Sequence, residues 1–331
     1  MYLKKLKIGN VELDNNLILA PMAGITSSGY RNFMSEFGPG FMVTEMISDM
    51  GLIYGNKETL SYLKFEKSAI PTGVQLFGSK PENMAKAVQI AESLNPNIDF
   101  FDINMGCPVE KVIKTGAGSY LMNDPKLCGE IVRAMKKVTD KPITVKIRLG
   151  FDIKHLTFKE VIKEVTDAGA SMVAIHPRTR KEMYAGQPHW DLVKDLRKEM
   201  SIPLVVSGNI NTVVDAINAI DITGADGVMV ARGGVGHPTL VENINNHYES
   251  KDIEESSYDE QIKLCKKLVR YLIDEKGEAV AMRVSRGIVT KFFDGFPNSK
   301  MLKNRLSTEL VTYDDLENII DDYLKNSSLV F

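Results

Sequence analysis

Eight short apolar runs recur along the chain, and stretches with helical spacing separate them. The runs read as strands at 16–20, 41–44, 73–77, 98–103, 142–147, 172–175, 202–206 and 227–230. They are continuous rather than alternating, which predicts strands covered on both faces, as in parallel sheets. Between them, apolar residues mark one helical face: Met84, Val88 and Ala91 in 81–94; Leu127, Ile131 and Met135 or Val138 in 124–138; Ile162 and Val165 in 158–168; Val213, Ile217 and Ile220 in 212–220. Strands alternating with such helices make βα units. Eight units in about 230 residues have the size of an α/β fold of one kind, the closed eightfold parallel β/α (TIM) barrel. A doubly wound open sheet is the alternative, but no GxGxxG follows the first strand.

Residues 3–13 alternate around Gly9-Asn10, a hairpin signal, and are expected to cover the bottom of the barrel. After residue 243 the character changes. Residues 246–258 are polar and read as a linker. From there only helical spacing remains, with stripes at Ile262, Cys265, Leu268 or Val269 and Leu272, at Met282, Ile288, Val289, Phe292 and Phe293, and at Leu316, Ile319, Ile320 and Tyr323. The expected organisation is a barrel over 1–245, the linker over 246–258, and an all-helical C-terminal domain over 259–331. No apolar run approaches the roughly 18 residues of a membrane span. Met1-Tyr2-Leu3-Lys4-Lys5 lacks the apolar core of a secretion signal. The three cysteines, at 107, 128 and 265, have neither a disulfide-framework nor a zinc spacing. A cytoplasmic protein without a metal site or membrane contact is expected. The net charge of −2 means that any nucleic-acid partner must be met by a local patch.

In a β/α barrel the reactive groups stand at the C-terminal ends of the strands. Here those ends carry Ala20-Pro21-Met22-Ala23-Gly24, Glu45, Gln75, Asn104 with Cys107, Lys146 with Arg148, His176 with Arg178, Ser207-Gly208-Asn209, and Arg232-Gly233-Gly234. Polar loops are common, so each one alone says little; the eightfold coincidence says more. Loops after strands seven and eight of such barrels often bind phosphate. Glycine lets backbone N–H groups approach an anion, and Arg232 adds a cationic fork. A phosphate-bearing ligand is therefore expected. Lys146 and His176 point at the same mouth, where a buried cation would balance negative charge on a cofactor ring.

In order along the chain stand Ala20-Pro21-Met22-Ala23-Gly24-Ile25-Thr26 with Arg31, Val74-Gln75-Leu76-Phe77-Gly78, Asp102-Ile103-Asn104-Met105-Gly106-Cys107-Pro108, Gly116-Ala117-Gly118-Ser119, Val145-Lys146-Ile147-Arg148-Leu149-Gly150, and His176 to Arg180 with Tyr184, Gly186 and Trp190. This ordered set resembles the tRNA-dihydrouridine synthases, flavin enzymes that reduce a uridine in tRNA. It departs from the family at Pro177, at Ser207-Gly208-Asn209 where Asn-Gly-Asp is usual, and at Ala231 before Arg232.

The resemblance implies FMN as cofactor and NADPH as reductant. It implies that Ser207, Gly208, Asn209, Ala231, Arg232 and Gly233 hold the phosphate, that Pro21, Met22 and Ala23 line the flavin ring, and that Gln75 bonds a ring edge. Lys146 would sit where reduced flavin gathers negative charge; its alternative is a salt bridge to Glu45 or Asp102. His176 would touch ring or phosphate. Reducing a uracil double bond needs a hydride at one carbon and a proton at the other, and the resemblance gives the proton to Cys107. A thiol with an ordinary pKa of about 8.5 is protonated near neutrality. Asn104 and Arg178 would read the base edge, and Tyr184 would border it. Cys128 and Cys265 lie on apolar stripes and read as core.

A uridine inside folded tRNA must be swung out to react, at a cost of a few kcal/mol that other contacts offset. Between Lys263 and Arg305 there are eleven Lys or Arg against four Asp or Glu, and after Arg305 six acids against one base. A basic helical face meeting phosphates is the functional reading, with Lys266, Lys267, Arg270, Arg283 and Arg286 as contacts. No obligate protein partner is evident. Two other functions compete: an FMN barrel acting on a free small pyrimidine or enone, resembling dihydroorotate dehydrogenase, and an RNA-binding barrel without chemistry.

Overall fold

The eight runs form eight parallel strands: β1 (Leu17–Leu19), β2 (Phe41–Val43), β3 (Thr72–Phe77), β4 (Phe100–Met105), β5 (Ile143–Arg148), β6 (Met172–His176), β7 (Leu204–Ser207) and β8 (Gly227–Val230). The computed structural model describes residues 2 and 4–326; Leu3 of the expected hairpin and residues 327–331 of the expected helical domain lie outside them. Each strand pairs in parallel with the next, and β8 pairs with β1, which closes the barrel. The helices α1 (Ser28–Ser35), α2 (Pro81–Leu94), α3 (Pro125–Lys136), α4 (Phe158–Asp167), α5 (Val213–Thr223) and α6 (Thr239–Tyr248) follow individual strands. Their ends follow local chemistry. Pro81 and Pro125 open α2 and α3, where a missing N–H costs nothing. Thr212 and Asp215 form a capping box on α5, and Gly224, at φ +68°, ends it.

The continuous apolar strands hide an alternation of faces. Outward residues such as Leu17, Val74, Ile103, Val145 and Val206 pack on the helices. Inward residues Ile18, Phe41, Val43, Phe100, Met172, Val205 and Met229 form a separate cluster with Leu6, Ile8 and Leu13. Those last three come from the hairpin Leu6–Ile8/Val11–Leu13, which therefore seals the lower end as expected. The Phe41 and Phe100 rings meet edge to face at 5.0 Å. A Cβ on Gly73 would lie 2.2 Å from the Phe100 ring, so only glycine admits that floor. Two residues further up, the same inward period delivers polar groups on several strands, Glu45 above Val43, Gln75 above Gly73, Asp102 above Phe100 and Ser207 above Val205, while Ala20, Ala174 and Ala231 stand at that level on others.

The C-terminal region is helical: α7 (Tyr258–Lys276), α8 (Glu278–Val289), α9 (Lys300–Thr308) and α10 (Tyr313–Asn326). The polar stretch expected as a linker is shorter than 246–258. Helix α6 runs on to Tyr248, because Leu240, Val241, Ile244 and Tyr248 keep one face buried. Between α6 and α7 lie residues 249–257, a turn at 249–250 and then an irregular stretch, and Ser257 caps α7 by accepting the Glu260 N–H. Cys128 and Cys265 are buried core residues. No helix among the described residues is long and apolar enough to cross a membrane.

Candidate active site

The inward residues of neighbouring strands stand level with one another. Gln75 pairs in register with Asp102, Asp102 with Thr144, Asn104 with Lys146, and Arg148 with His176. This places a polar layer above the apolar floor. Asp102 is buried and accepts from Gln75 Nε2 at 2.6 Å and from Thr144 Oγ1 at 2.5 Å. Burial pushes its carboxyl pKa up, against those two hydrogen bonds and the charge of Lys146. Gln75 Oε1 in turn accepts from Asn104 Nδ2 at 2.8 Å. Asn104 Oδ1 accepts the backbone N–H of Cys107 at 2.8 Å and of Gly106 at 3.2 Å. Asn104 thus holds the turn that follows β4.

That turn is fixed from three sides. The Cys107 carbonyl accepts from Ser119 N at 3.0 Å and Ser119 Oγ at 2.9 Å. A Cβ on Gly118, at φ +62°, would lie 2.8 Å from the same carbonyl, so the Gly116-Ala117-Gly118-Ser119 element needs glycine there. Arg148 Nε donates to Gly106 O at 2.7 Å, while its Nη1 donates to Thr179 O and Met183 O at 3.0 and 2.7 Å. The Cys107 side chain is half-buried. Burial raises its pKa, opposed by the Val109 N–H and by the charges of Arg148 and Lys146. The thiol is protonated at neutral pH, and a thiolate formed there would face two cations.

Lys146 makes no hydrogen bond or ion pair among the described residues; the salt bridge to Glu45 or Asp102 that the sequence left open is not formed. Burial and the Arg148 charge push its ammonium down to about 8. Glu45 instead accepts the Gly24 N–H at 2.5 Å and so holds the Pro21-Met22-Ala23 loop. Within that loop Thr26 Oγ1 accepts from Met22 N at 2.9 Å. Burial and four surrounding cations, Lys146 first, push the His176 pKa far below its ordinary value, so the ring is neutral. Its Nε2 accepts from Arg178 Nη1 at 2.8 Å.

The β7 and β8 loops meet closely. Gly208 has φ +120°, and a Cβ there would lie 2.9 Å from the His176 ring. A Cβ on Gly233 would lie 2.0 Å from Ile210 O. Asn209 adopts φ +52°. The N–H groups of Gly208, Asn209 and Arg232 bond no acceptor among the described residues, which leaves a cradle of free donors beside an exposed guanidinium. Ser207 and Ala231 flank this cradle at the ends of β7 and β8. Free backbone donors, glycines that no Cβ may replace and an unpaired ammonium are what an anionic phosphate-bearing ring cofactor requires.

Two residues expected to read a base have other employment. Arg178 is 1% exposed; besides His176 it bonds Ala185 O, Gly186 O and Asn209 Oδ1 at 3.0, 2.6 and 3.0 Å. It braces the β6 loop against the β7 loop. Asn104 spends both ends of its amide on Gln75 and the Cys107 turn. Tyr184 is half-exposed, with the Arg232 guanidinium 4.6 Å and the Arg148 guanidinium 5.4 Å from its ring centre. Arg148 is the residue whose weight the sequence reading missed; its signal is the two-residue step from Lys146, which puts both on one face of β5.

The basic helical residues are divided. Lys266 pairs with Glu317 at 3.3 Å, Lys267 pairs with Glu36 of the barrel, Arg270 bonds Tyr313 Oη at 3.0 Å, and Arg286 donates twice to Leu310 O. Arg283 is exposed, and no bond to it is formed among the described residues.

The dihydrouridine synthase family profile matches residues 18–327. A protein of Rickettsia conorii named "Probable tRNA-dihydrouridine synthase" is 34% identical over 297 residues, covering 89% of each chain. The tRNA-dihydrouridine synthase B of Shewanella oneidensis is 31% identical over 324 residues, covering 97% of this chain and 100% of its own. Among solved structures, histamine dehydrogenase from Rhizobium sp. 4-9 superposes with a TM-score of 0.57 at 14% identity, over 82% of this chain and 51% of that one. A 2-naphthoyl-CoA reductase gives 0.57 at 14%, over 76% and 52%. The chain spans about half the length of these two structures, and the likeness is one of fold. The match to the dihydrouridine synthases, in contrast, runs from the first barrel strand through the last helix, and the chain belongs to that enzyme family.

Proposed function

We propose that the protein reduces uridine in tRNA to 5,6-dihydrouridine, with FMN as cofactor and NADPH as reductant. The observation that carries this reading is the thiol of Cys107, protonated and held by its backbone at the edge of a mouth that also contains the unpaired Lys146. FMN, when bound, supplies the hydride that goes to one carbon of the uracil double bond. Gly208, Asn209, Arg232 and Gly233, with Ser207 and Ala231 beside them, would receive its phosphate through free N–H groups and one guanidinium. Pro21, Met22 and Ala23 would line the ring, His176 and the hydrogen-bonding capacity that Gln75 keeps beyond Asp102 and Asn104 would meet its edges, and Lys146 would balance its charge.

Cys107 gives a proton to the other carbon. Lys146 and Arg148 then stabilise the thiolate, since both lower the thiol's pKa. Tyr184 offers an open ring edge to the extruded base, while Asn104 and Arg178 act by holding the loops around it. The helical residues from 259 onwards hold the tRNA; Arg283 is a free contact there, and Lys266, Lys267, Arg270 and Arg286 reach phosphate by exchanging a present partner. The setting is the cytoplasm.

The test is to purify the protein and look for flavin absorbance near 450 nm, in the region typical of oxidised flavins. It is then incubated with NADPH and tRNA from cells lacking it, and dihydrouridine is mapped by position. A yellow protein that forms dihydrouridine supports the reading. A yellow protein that turns over only a free pyrimidine or enone refutes the tRNA substrate, and a colourless one refutes the chemistry.

A further inference from the structure

Helix α1 follows the Pro21–Thr26 loop directly, and helix α7 of the C-terminal region lies along it in the opposite direction. The N-cap residue of α1, Ser27, makes no side-chain bond within its own helix. Its hydroxyl donates instead to Glu275 Oε2 at 2.7 Å, and the Gly29 N–H donates to the same oxygen at 2.7 Å. A carboxylate from α7 thus caps the barrel's α1, where the helix dipole favours negative charge. The fit is close: a Cβ on Gly29 would lie 2.6 Å from Tyr271 O and 2.9 Å from Glu275 Oε2. The second Glu275 oxygen pairs with Lys276 at 2.9 Å.

From this cap, backbone bonds lead inward: the Ser27 N–H donates to Ile25 O at 2.8 Å and the Arg31 N–H donates to Ser27 O at 2.9 Å. Arg31, 3% exposed, donates to Thr26 O at 2.7 Å, and its buried charge is offset by Glu275 and Glu45. Thr26 Oγ1 accepts from Met22 N, and Glu45 holds Gly24 N. Ser27 thus ties Glu275 to the loop by hydrogen bonds, while the Thr26 and Gly24 anchors are linked to it through the charges of Arg31 and Glu45. At the other end of α1, Glu36 accepts from Tyr271 Oη at 2.6 Å and pairs with Lys267. That second clamp joins the same two helices but lies a helix length away from the loop.

We propose that Glu275 is a positioning residue for the reaction: the helical region supplies the carboxylate that sets the Pro21–Thr26 loop. The flavin-lining side of the barrel mouth is thereby incomplete without α7. The role of that loop toward flavin rests on the function proposed above; the clamp itself does not.

The test compares Glu275→Ala, Glu275→Gln and Glu36→Ala in the full chain. The first readout, hydrogen exchange of the peptide covering residues 20–27, needs no flavin. Glu275→Ala should speed exchange of the Met22, Gly24 and Thr26 amides by about fivefold or more, the scale of a lost helix cap. Glu275→Gln keeps an acceptor oxygen and should restore most of the protection. Glu36→Ala should leave residues 20–27 as in the wild type while lowering the thermal midpoint. The second readout is titration with FMN, in which Glu275→Ala should bind several-fold more weakly and Glu36→Ala unchanged. Equal exchange at 20–27 in Glu275→Ala and wild type overturns the proposal. So does equal loosening by Glu36→Ala, which would make Glu275 one of two interchangeable struts. A wild-type protein that binds no FMN sinks the proposed function, while the exchange data still decide the clamp.

Discussion

Replacing Lys146 with Met should make the protein more stable and its cofactor site worse. The ammonium stands in the barrel mouth without a hydrogen-bonding partner, and burial pushes its pKa from 10.5 down to about 8. A group with a lowered folded pKa binds fewer protons folded than unfolded between those two values. Stability therefore rises with pH across that window, and the penalty is fully present below pH 8. A shift of this size corresponds to at most about 3 kcal/mol, and less in practice because part of the side chain remains open to water. Met has nearly the same length and no charge. Urea unfolding of wild type and Lys146→Met without cofactor, at pH 7 and at pH 9.5, measures the difference. The variant should be about 1–3 kcal/mol more stable at pH 7, with the gap narrowing as pH rises. Groups away from the mouth cancel in the comparison; Asp102, Cys107 and His176, which the Lys146 charge shifts, do not and are followed separately. FMN affinity should fall at the same time. A variant less stable than wild type at pH 7, or a gap that does not change with pH, would refute the claim that the site stores an uncompensated charge.

Cys107→Ala should keep the fold and FMN binding, since residue 107 is held through its N–H and carbonyl, and should slow dihydrouridine formation by about 10²–10⁴-fold; product formed at the wild-type rate removes the proton-donor role. Gly233→Ala drives a methyl to 2.0 Å from Ile210 O. Because the obstacle is backbone, it should cost at least about 1–3 kcal/mol in urea unfolding and abolish flavin binding, and an unchanged midpoint would contradict the packing. Arg283→Glu should weaken tRNA binding and lower the slope of log affinity against log salt by about one or more, whereas Lys266→Ala, already paired to Glu317, should change both less. Filter binding at several salt concentrations separates the two, and the reverse order would show that present ion pairs do not govern which cations meet the RNA.

The barrel was legible in the sequence because its strands are covered on both sides and leave continuous apolar runs, and the strand ends were legible because the fold puts chemistry there. Register pairs such as Asn104 with Lys146 follow once eight strands are counted. What the sequence hides is partnership over distance. Lys267 looks like a free cation within its own helix, yet Glu36, its partner, is 231 residues away. The resemblance gives Arg178 a base-reading role, but the β6 loop folds back over it and buries it. The polar residues around Asn245 read as linker, although Tyr248 three positions later keeps the helix on the core. In each case composition reports local character, and burial reports which distant element arrived to cover it.

The hairpin that plugs the lower end leaves the reaction a single doorway. On the function proposed above, reductant and nucleic acid would both have to enter at the mouth where Cys107 and Lys146 stand. With one entrance, turnover on that reading would proceed by alternation, one visitor leaving before the next arrives. Initial rates measured against the two substrates should give parallel reciprocal plots, and each substrate in excess should slow the other's half of the cycle.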